Sequence, residues 1–112
     1  MVAPSVGCVV LVRFPFSDLS STKLRPAVVL ADAGREDWIL CQITSNSYSD
    51  ARAMELSESD FVSGGLLRTS YVRPGKLFSA NSSLMVRVAG DLKKSKLVDL
   101  VDAIVAILRS GI

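Results

Sequence analysis

An arginine and a threonine stand at the ends of two predicted strands. Arg25 opens the apolar run Arg-Pro-Ala-Val-Val-Leu, and Thr44 closes the run Gln-Ile-Thr that follows Trp38. A guanidinium presents a planar fork of donors that matches two oxygens of a phosphate, and a neighbouring hydroxyl can add one more hydrogen bond. If the fold brings the two strand ends together, the pair suits a phosphodiester better than most ligands.

The residue types that the chain lacks narrow the chemistry further. It contains no histidine, which excludes catalysis and zinc binding based on that side chain. The sequence has no clustered carboxylates and no Gly-rich phosphate loop, so metal-dependent phosphoryl transfer is unsupported, and we expect neither a metal nor a cofactor. RNA carries its own nucleophile, the 2′-OH, so a protein need only align it and stabilise the charge on the phosphate. Arg25 and Thr44 suffice for that task.

Length and composition favour one small domain with a partner. The 112 residues make a single domain, residues 1–112, whose core is adequate but marginal for a monomer. Because 49% of the residues are hydrophobic, some apolar surface should meet another chain. The formal net charge is only +2, so a nucleic-acid site must be a local cluster of cations.

The cysteines and the apolar runs bear on the cellular location. Cys8 and Cys41 lie inside apolar runs without C-x-x-C spacing, and we interpret both as reduced core thiols. The sequence shows neither a signal-peptide pattern nor a run of about 20 apolar residues. A cytoplasmic protein is therefore expected.

Short apolar segments punctuated by turn residues predict a mainly β protein. Pro74-Gly75 is expected to interrupt the chain between the strand segments 69–73 and 76–78, and Ser57 to cap a single helical turn ending near Val62. Strands are predicted over 7–14, 25–31, 38–43, 53–56, 69–73, 76–78 and 84–88, with a loop over 15–24 and a polar stretch over 44–52.

The C-terminal segment has a helical period instead. From about Lys93 to Arg109, apolar residues recur at helical spacing and predict one stripe that packs on the core; they are Leu97, Leu100, Val101, Ile104, Ile107 and Leu108. Strands followed by a terminal helix predict a curled antiparallel sheet or small barrel with the helix packed across it.

The sequence also resembles the PemK/MazF family of toxins from type II toxin–antitoxin systems. The resemblance covers nearly the whole chain and rests on ordered motifs: Gly7-Cys8-Val9-Val10, Phe14-Pro15-Phe16, Ser20-Ser21, Arg25 to Leu30, Gln42-Ile43-Thr44-Ser45, Ser70-Tyr71-Val72-Arg73-Pro74 and Lys76-Leu77-Phe78. It implies a homodimer of SH3-like small β-barrels, each mainly β with a C-terminal helix. It also implies a metal-independent, sequence-specific endoribonuclease that cleaves single-stranded RNA, including mRNA, and leaves a 2′,3′-cyclic phosphate and a 5′-OH.

The resemblance assigns roles to individual residues. Arg25 and Thr44 correspond to the family's usual catalytic pair, in which the arginine would stabilise the transition state and protonate the leaving group while the threonine orients the phosphate or the 2′-OH. Arg73 is a further candidate for catalysis or substrate positioning; some members carry an aspartate two residues later, where this chain has Gly75. The loops add candidate RNA contacts at Ser20, Ser21, Lys23 and Ser45.

Two other functions fit the same residues. The fold also serves toxins that bind gyrase without catalysis, so a non-enzymatic interaction module is one alternative. A degenerate toxin that only binds its antitoxin is the other, because Gly75 removes a carboxylate. As a toxin of this family, the chain would have an antitoxin as its partner. That antitoxin would carry a disordered, acidic and apolar segment that lies near Arg25 and Arg73.

Overall fold

The computed structural model describes residues 2–15, 22–47 and 49–112, without the side chains of Pro15 and Thr22. Within these ranges the chain forms seven strands, one α-helix and two short 3₁₀ turns. The strands are β1 (Cys8–Pro15), β2 (Thr22–Gly34), β3 (Asp37–Thr44), β4 (Met54–Leu56), β5 (Phe61–Gly64), β6 (Ser70–Asn81) and β7 (Met85–Leu92); the helix is α1 (Lys94–Arg109), and the 3₁₀ turns are Glu58–Asp60 and Ser82–Leu84.

All seven strands belong to one antiparallel sheet. Its order is β4-β6-β3-β2-β1-β7-β5, so the short strands β4 and β5 form the two edges. No ladder joins these two edges within the described ranges, and the sheet is therefore a curled half-barrel. The prediction of a mainly β, SH3-like fold with a C-terminal helix is confirmed.

The curled sheet buries a core on each of its faces, because successive side chains of a strand point to opposite sides. On one face Val9, Val28 and Ile43 pack with residues from both edge strands and from α1. On the other face Val10, Val29 and their neighbours form a second cluster. The first cluster includes Leu56, Phe61, Leu100 and Ile104, so the helix shares this core with both edge strands. Cys8 and Cys41 are buried and unpaired, as expected.

The helix carries two apolar stripes rather than one. Leu100 and Ile104 are buried in the first core cluster, with Leu97 packed against it. The prediction was wrong for Val101 and Leu108, which are 38% and 64% exposed, because these residues lie on a neighbouring face of the helix that the sheet does not reach. In the described part of the chain, no helix has the length and hydropathy that a bilayer crossing requires.

Two further predictions about strands need correction. Residues 22–24 belong to β2 rather than to the preceding loop, because they pair with the end of β1. β6 continues through Pro74-Gly75, since a register shift between its partners Cys41 and Ile43 absorbs the extra residues as an irregularity. The rest of the predicted loop, residues 16–21, lies outside the described residues.

Strand β5 was not predicted and depends on close backbone contact. The expected helical turn is the 3₁₀ turn Glu58–Asp60, in which Ser57 N donates to Asp60 Oδ2 at 2.8 Å. β5 then pairs with β7, and a Cβ added to Gly64 would clash with Ala89 O. Its φ of +66° is also one that favours glycine. Gly64 thus permits this strand pairing.

Candidate functional site

The β2–β3 hairpin brings the two residues singled out by the sequence to the same place. Its ladder pairs Ala27 with Gln42 and Val28 with Cys41. Arg25 and Thr44 each lie two residues beyond the last pair of this ladder, on the two facing strands of the hairpin. The ladder ends at Ala27, beside Pro26, which has no N–H to donate.

A pocket of about 490 Å³ opens where these strands end. Arg25, Thr44 and Ser45 line it together, as the sequence predicts for a shared site. The remaining lining comes from β1, β2, β3, the β5–β6 loop, the first residue of β6 and β7: Leu11, Leu24, Pro26, Ile43, Gly65, Leu66, Leu67, Arg68, Ser70, Arg87 and Ala89. The pocket therefore combines apolar and polar side chains, which is the usual character of a ligand site.

The pocket concentrates positive charge in a chain that is nearly neutral overall. Arg25, Arg68 and Arg87 all line it, and none of its described lining residues is an aspartate or glutamate. Leu11 pairs with Pro26 on one side and with Arg87 on the other, so Arg87 lies two strand spacings, ~10 Å, from Pro26. Three guanidinium groups around one pocket form the local cation cluster that binding of a polyanion requires.

The side chain of Thr44 is fixed by the backbone that follows strand β3. It is only 8% exposed, and its Oγ1 accepts a hydrogen bond from Asn46 N at 3.2 Å. A hydroxyl that accepts from the backbone keeps its own hydrogen to donate. Thr44 can thus serve as a fixed donor toward an anion in the pocket.

Arg73 occupies a different place. It lines a second pocket of about 380 Å³ with residues 49–52, Gly75 and Lys76, not the pocket of Arg25. Its Nε donates to Asp50 Oδ2 at 2.9 Å, and Asp50 Oδ1 accepts from Arg52 N at 3.0 Å. The Arg73 hydrogen bond, supported by that of Arg52, holds the pKa of Asp50 below its ordinary value. Arg73 thus ties residues 49–52 to β6.

The same strand fixes a core thiol. Cys41 Sγ donates to Arg73 O at 3.0 Å. Burial nevertheless raises the pKa of Cys41 to about 12, with the Arg73 carbonyl acting in the opposite direction. The thiol is therefore protonated at neutral pH and is not a nucleophile.

The remaining predicted contacts divide into three groups. Ser45 lines the Arg25 pocket. Lys23 is exposed on β2 opposite Phe14 and is not among the residues that line this pocket. Ser20 and Ser21 lie outside the described residues.

Sequence reasoning missed Arg68 and Arg87. Arg87 was taken only as part of a strand, because its position in the pocket depends on the pairing of β7 with β1, far apart in sequence. Arg68 lies between β5, which was not predicted, and β6. Over the ranges that the structure describes, no group of three or more histidine, cysteine, aspartate or glutamate residues could hold a metal ion.

Comparison with solved structures gives the same fold. The chain is similar to MazF in the MazE–MazF complex (Form-II) of Deinococcus radiodurans, with 19% identity, a TM-score of 0.76, and coverage of 96% of this chain and 97% of the other. It is also similar to an endoribonuclease in complex with its cognate antitoxin from a mycobacterial species, with 14% identity, a TM-score of 0.67, and coverage of 96% and 93%. The Mycobacterium tuberculosis toxin MazF-mt6 superposes with 19% identity and a TM-score of 0.67, over 87% of this chain and 91% of that one.

Sequence comparison identifies the family. Among curated proteins no sequence matches this chain. A family model described as "PemK-like, MazF-like toxin of type II toxin-antitoxin system" matches residues 5–108. This match spans both strands of the Arg25 and Thr44 hairpin and all of α1 except Arg109. The chain therefore belongs to the PemK/MazF family of toxins of type II toxin–antitoxin systems.

Proposed function

We propose that this toxin is a metal-independent, sequence-specific endoribonuclease that cleaves single-stranded RNA, including mRNA. The observation that carries the proposal is the pocket in which Thr44 meets three arginines and, among the described lining residues, no carboxylate. Such a site attracts a phosphodiester and supplies donors to its oxygens. Membership of the PemK/MazF family and the likeness to an endoribonuclease of known structure support the same activity.

The reaction uses the nucleophile of the substrate. The 2′-oxygen attacks the adjacent phosphorus and loses its proton to water, while the bond from phosphorus to the 5′-oxygen breaks. The products are a 2′,3′-cyclic phosphate and a 5′-OH. Arg25 neutralises the charge that develops on the phosphate oxygens and donates a hydrogen bond to the leaving oxygen, which takes its proton from water because a guanidinium remains charged. Thr44 holds the phosphate in line for the attack.

The other two arginines of the pocket bind the RNA on either side of the cleaved phosphate. Arg68 and Arg87 bind phosphates that flank the cleaved one, which extends the site to several nucleotides. Ser45 contacts RNA at the pocket, and Lys23 contacts it further along β2. Arg73 positions the segment that follows Thr44 through its ion pair with Asp50.

Two protein partners complete the proposal. A cognate antitoxin inhibits the toxin by laying an acidic and apolar segment over the Arg25 pocket, whose cations and apolar residues match that composition. A second copy of the chain forms a homodimer, which covers part of the exposed apolar surface.

Expression in cells with RNA-end mapping tests this function. We expect the wild-type chain to stop growth and to produce new 5′-OH ends at a short recurring sequence, and Arg25→Ala to do neither. Arg35→Gln is the matched control, because Arg35 is exposed at the other end of the same hairpin. Equal toxicity of wild type and Arg25→Ala, or RNA ends that do not depend on Arg25, would overturn the proposal.

A further inference from the structure

A further pocket, of about 260 Å³, adjoins the pocket that Arg25 lines. Leu66, Leu67 and Arg68 of the β5–β6 loop line both pockets. The other lining residues come from the end of β4, the turn that follows it, the start of β5 and the end of the loop: Leu56, Ser57, Glu58, Phe61 and Thr69. We call this the Glu58 pocket. Because Arg68 belongs to both pockets, an RNA phosphate bound to Arg68 has an adjoining nucleoside at the Glu58 pocket.

Glu58 presents a carboxylate that no described residue satisfies. It is the only acidic residue among the described ones that line this pocket. Its side chain is exposed and forms no hydrogen bond or ion pair with another described residue. The turn that carries it is held in place, because Asp60 Oδ2 accepts from Ser57 N at 2.8 Å and lies 3.7 Å from Lys96 Nζ. Glu58 therefore offers two acceptor oxygens from an anchored turn.

We propose that the Glu58 pocket binds a guanine base next to the phosphate held by Arg68, and so sets one position of the cleavage sequence. The inference rests on the proposed ribonuclease activity. A carboxylate only accepts hydrogen bonds and repels a phosphate, so this pocket suits a base. The Watson–Crick edge of guanine carries two neighbouring donors, N1–H and the N2 amino group, which match the two oxygens of Glu58.

The other bases fit this carboxylate less well. Adenine and cytosine each place a ring nitrogen acceptor beside their amino group, and uracil has a single N–H between two carbonyl oxygens. Each of them can therefore give Glu58 only one hydrogen bond, and each brings an acceptor against its second oxygen. The discrimination comes from the unsatisfied acceptor as much as from the bonds that form.

An exposed leucine supplies apolar surface for the base. Leu67 stands on the loop between the two pockets and is 105% exposed. Single-stranded RNA is read through unstacked bases that lie against side chains while their edges form hydrogen bonds. A guanine bound by Glu58 covers Leu67, and this removes apolar surface from water.

The first test maps the ends produced when purified toxin cleaves a pool of RNA oligonucleotides of randomised sequence. We expect the wild type to require guanine at one fixed position near the cleaved bond. Glu58→Gln should shift that position toward adenine and cytosine, because an amide presents one acceptor and one donor, and should leave the other positions unchanged. Glu55→Gln is the matched control, since Glu55 is exposed on β4 and does not line this pocket.

The second test changes the RNA instead of the protein. Inosine at the selected position lacks only the N2 amino group of guanosine. We expect kcat/KM of the wild type to fall about 10-fold or more with this substrate, as for loss of a hydrogen bond to a charged group, and Glu58→Gln to cleave both RNAs at rates within about two-fold. Circular dichroism confirms that the variant is folded, and the wild-type comparison needs no variant.

The outcomes separate the subsite from the activity. A cleavage sequence without guanine, a guanine preference that survives Glu58→Gln, or equal wild-type rates on the guanosine and inosine RNAs overturns the guanine subsite and leaves the proposed ribonuclease standing. A wild-type protein that cleaves no RNA overturns both.

Discussion

At the scale of single residues, the three arginines of the pocket have two different tasks. Arg25 lies on the β2–β3 hairpin that also carries Thr44, whereas Arg68 and Arg87 come from a loop and from another strand. Of the three arginines, only Arg25 shares the hairpin with the hydroxyl. We therefore assign the reacting phosphate to Arg25 and the neighbouring phosphates to the other two.

Salt dependence distinguishes these tasks. With a 2′-O-methyl RNA oligonucleotide, which lacks the nucleophile, Arg68→Gln and Arg87→Gln should each reduce the slope of log K against log salt by about 0.7, the value for one phosphate contact on a single strand. Arg35→Gln should leave the slope unchanged. An unaltered slope in both pocket variants would remove them from the RNA site.

Thr44 permits a conservative comparison. Thr44→Ser retains the hydroxyl that accepts from Asn46 N, so we expect it to cleave RNA at a rate close to wild type. Thr44→Val keeps the shape but loses the donor, and its rate should fall by about 100-fold, as for removal of one transition-state donor. Single-turnover cleavage measures both; equal rates for the two variants would contradict the assigned role.

The ionised carboxylate of Asp50 makes the free energy of unfolding depend on pH in the acidic range. Its pKa is lowered in the folded chain by Arg73 and Arg52, so its contribution to the free energy of unfolding is present above the unfolded pKa of ~3.9 and is lost as the pH falls through the folded value. Asp50→Asn should lower stability at pH 7 and flatten its decline below about pH 4. Urea unfolding across this pH range measures the effect, and an identical acid dependence in both proteins would rule it out.

At the scale of elements, local patterns predict most of the strands and the helix, but not their partners. Apolar runs and turn residues indicate β1, β3 and α1 close to their observed bounds. The role of Arg87 could not be predicted, because it depends on a β1–β7 ladder between distant segments. The second apolar stripe on α1 could not be predicted for a related reason. The helical period shows which residues share a face, but packing decides which of those faces contacts the sheet.

The edge strand β5 offers a direct test of the backbone contact. Gly64→Ala should destabilise the fold by more than about 1 kcal/mol, since alanine resists a positive φ, and the added Cβ would also meet Ala89 O. Gly34→Ala is the matched control: Gly34 also has a positive φ, of +89°, but nothing lies within 4 Å of the added atom. Equal losses of stability in the two variants would mean that the close β5–β7 contact contributes nothing.

At the scale of the whole molecule, the two buried thiols report on global unfolding. Cys8 and Cys41 lie in the two core clusters, with 1% and 0% of their surface exposed. Both should stay unreactive toward a thiol reagent in the native protein and react fully in denaturant. Stability should also decline above about pH 9, because the unfolded Cys41 ionises there while the folded thiol, with a pKa of about 12, does not. Rapid labelling of the native protein would show that the core opens locally.

We propose that the β2–β3 hairpin, the half-barrel and the arginines of the pocket together make an RNA-cleaving site that needs no metal. The most direct measurement incubates purified toxin with single-stranded RNA in EDTA and identifies the ends by mass spectrometry. We predict cleavage by the wild type and by Arg35→Gln, with 2′,3′-cyclic phosphate and 5′-OH ends, and a rate at least about 100-fold lower for Arg25→Ala. Intact RNA in EDTA, or equal cleavage by the Arg25→Ala protein, would contradict this account.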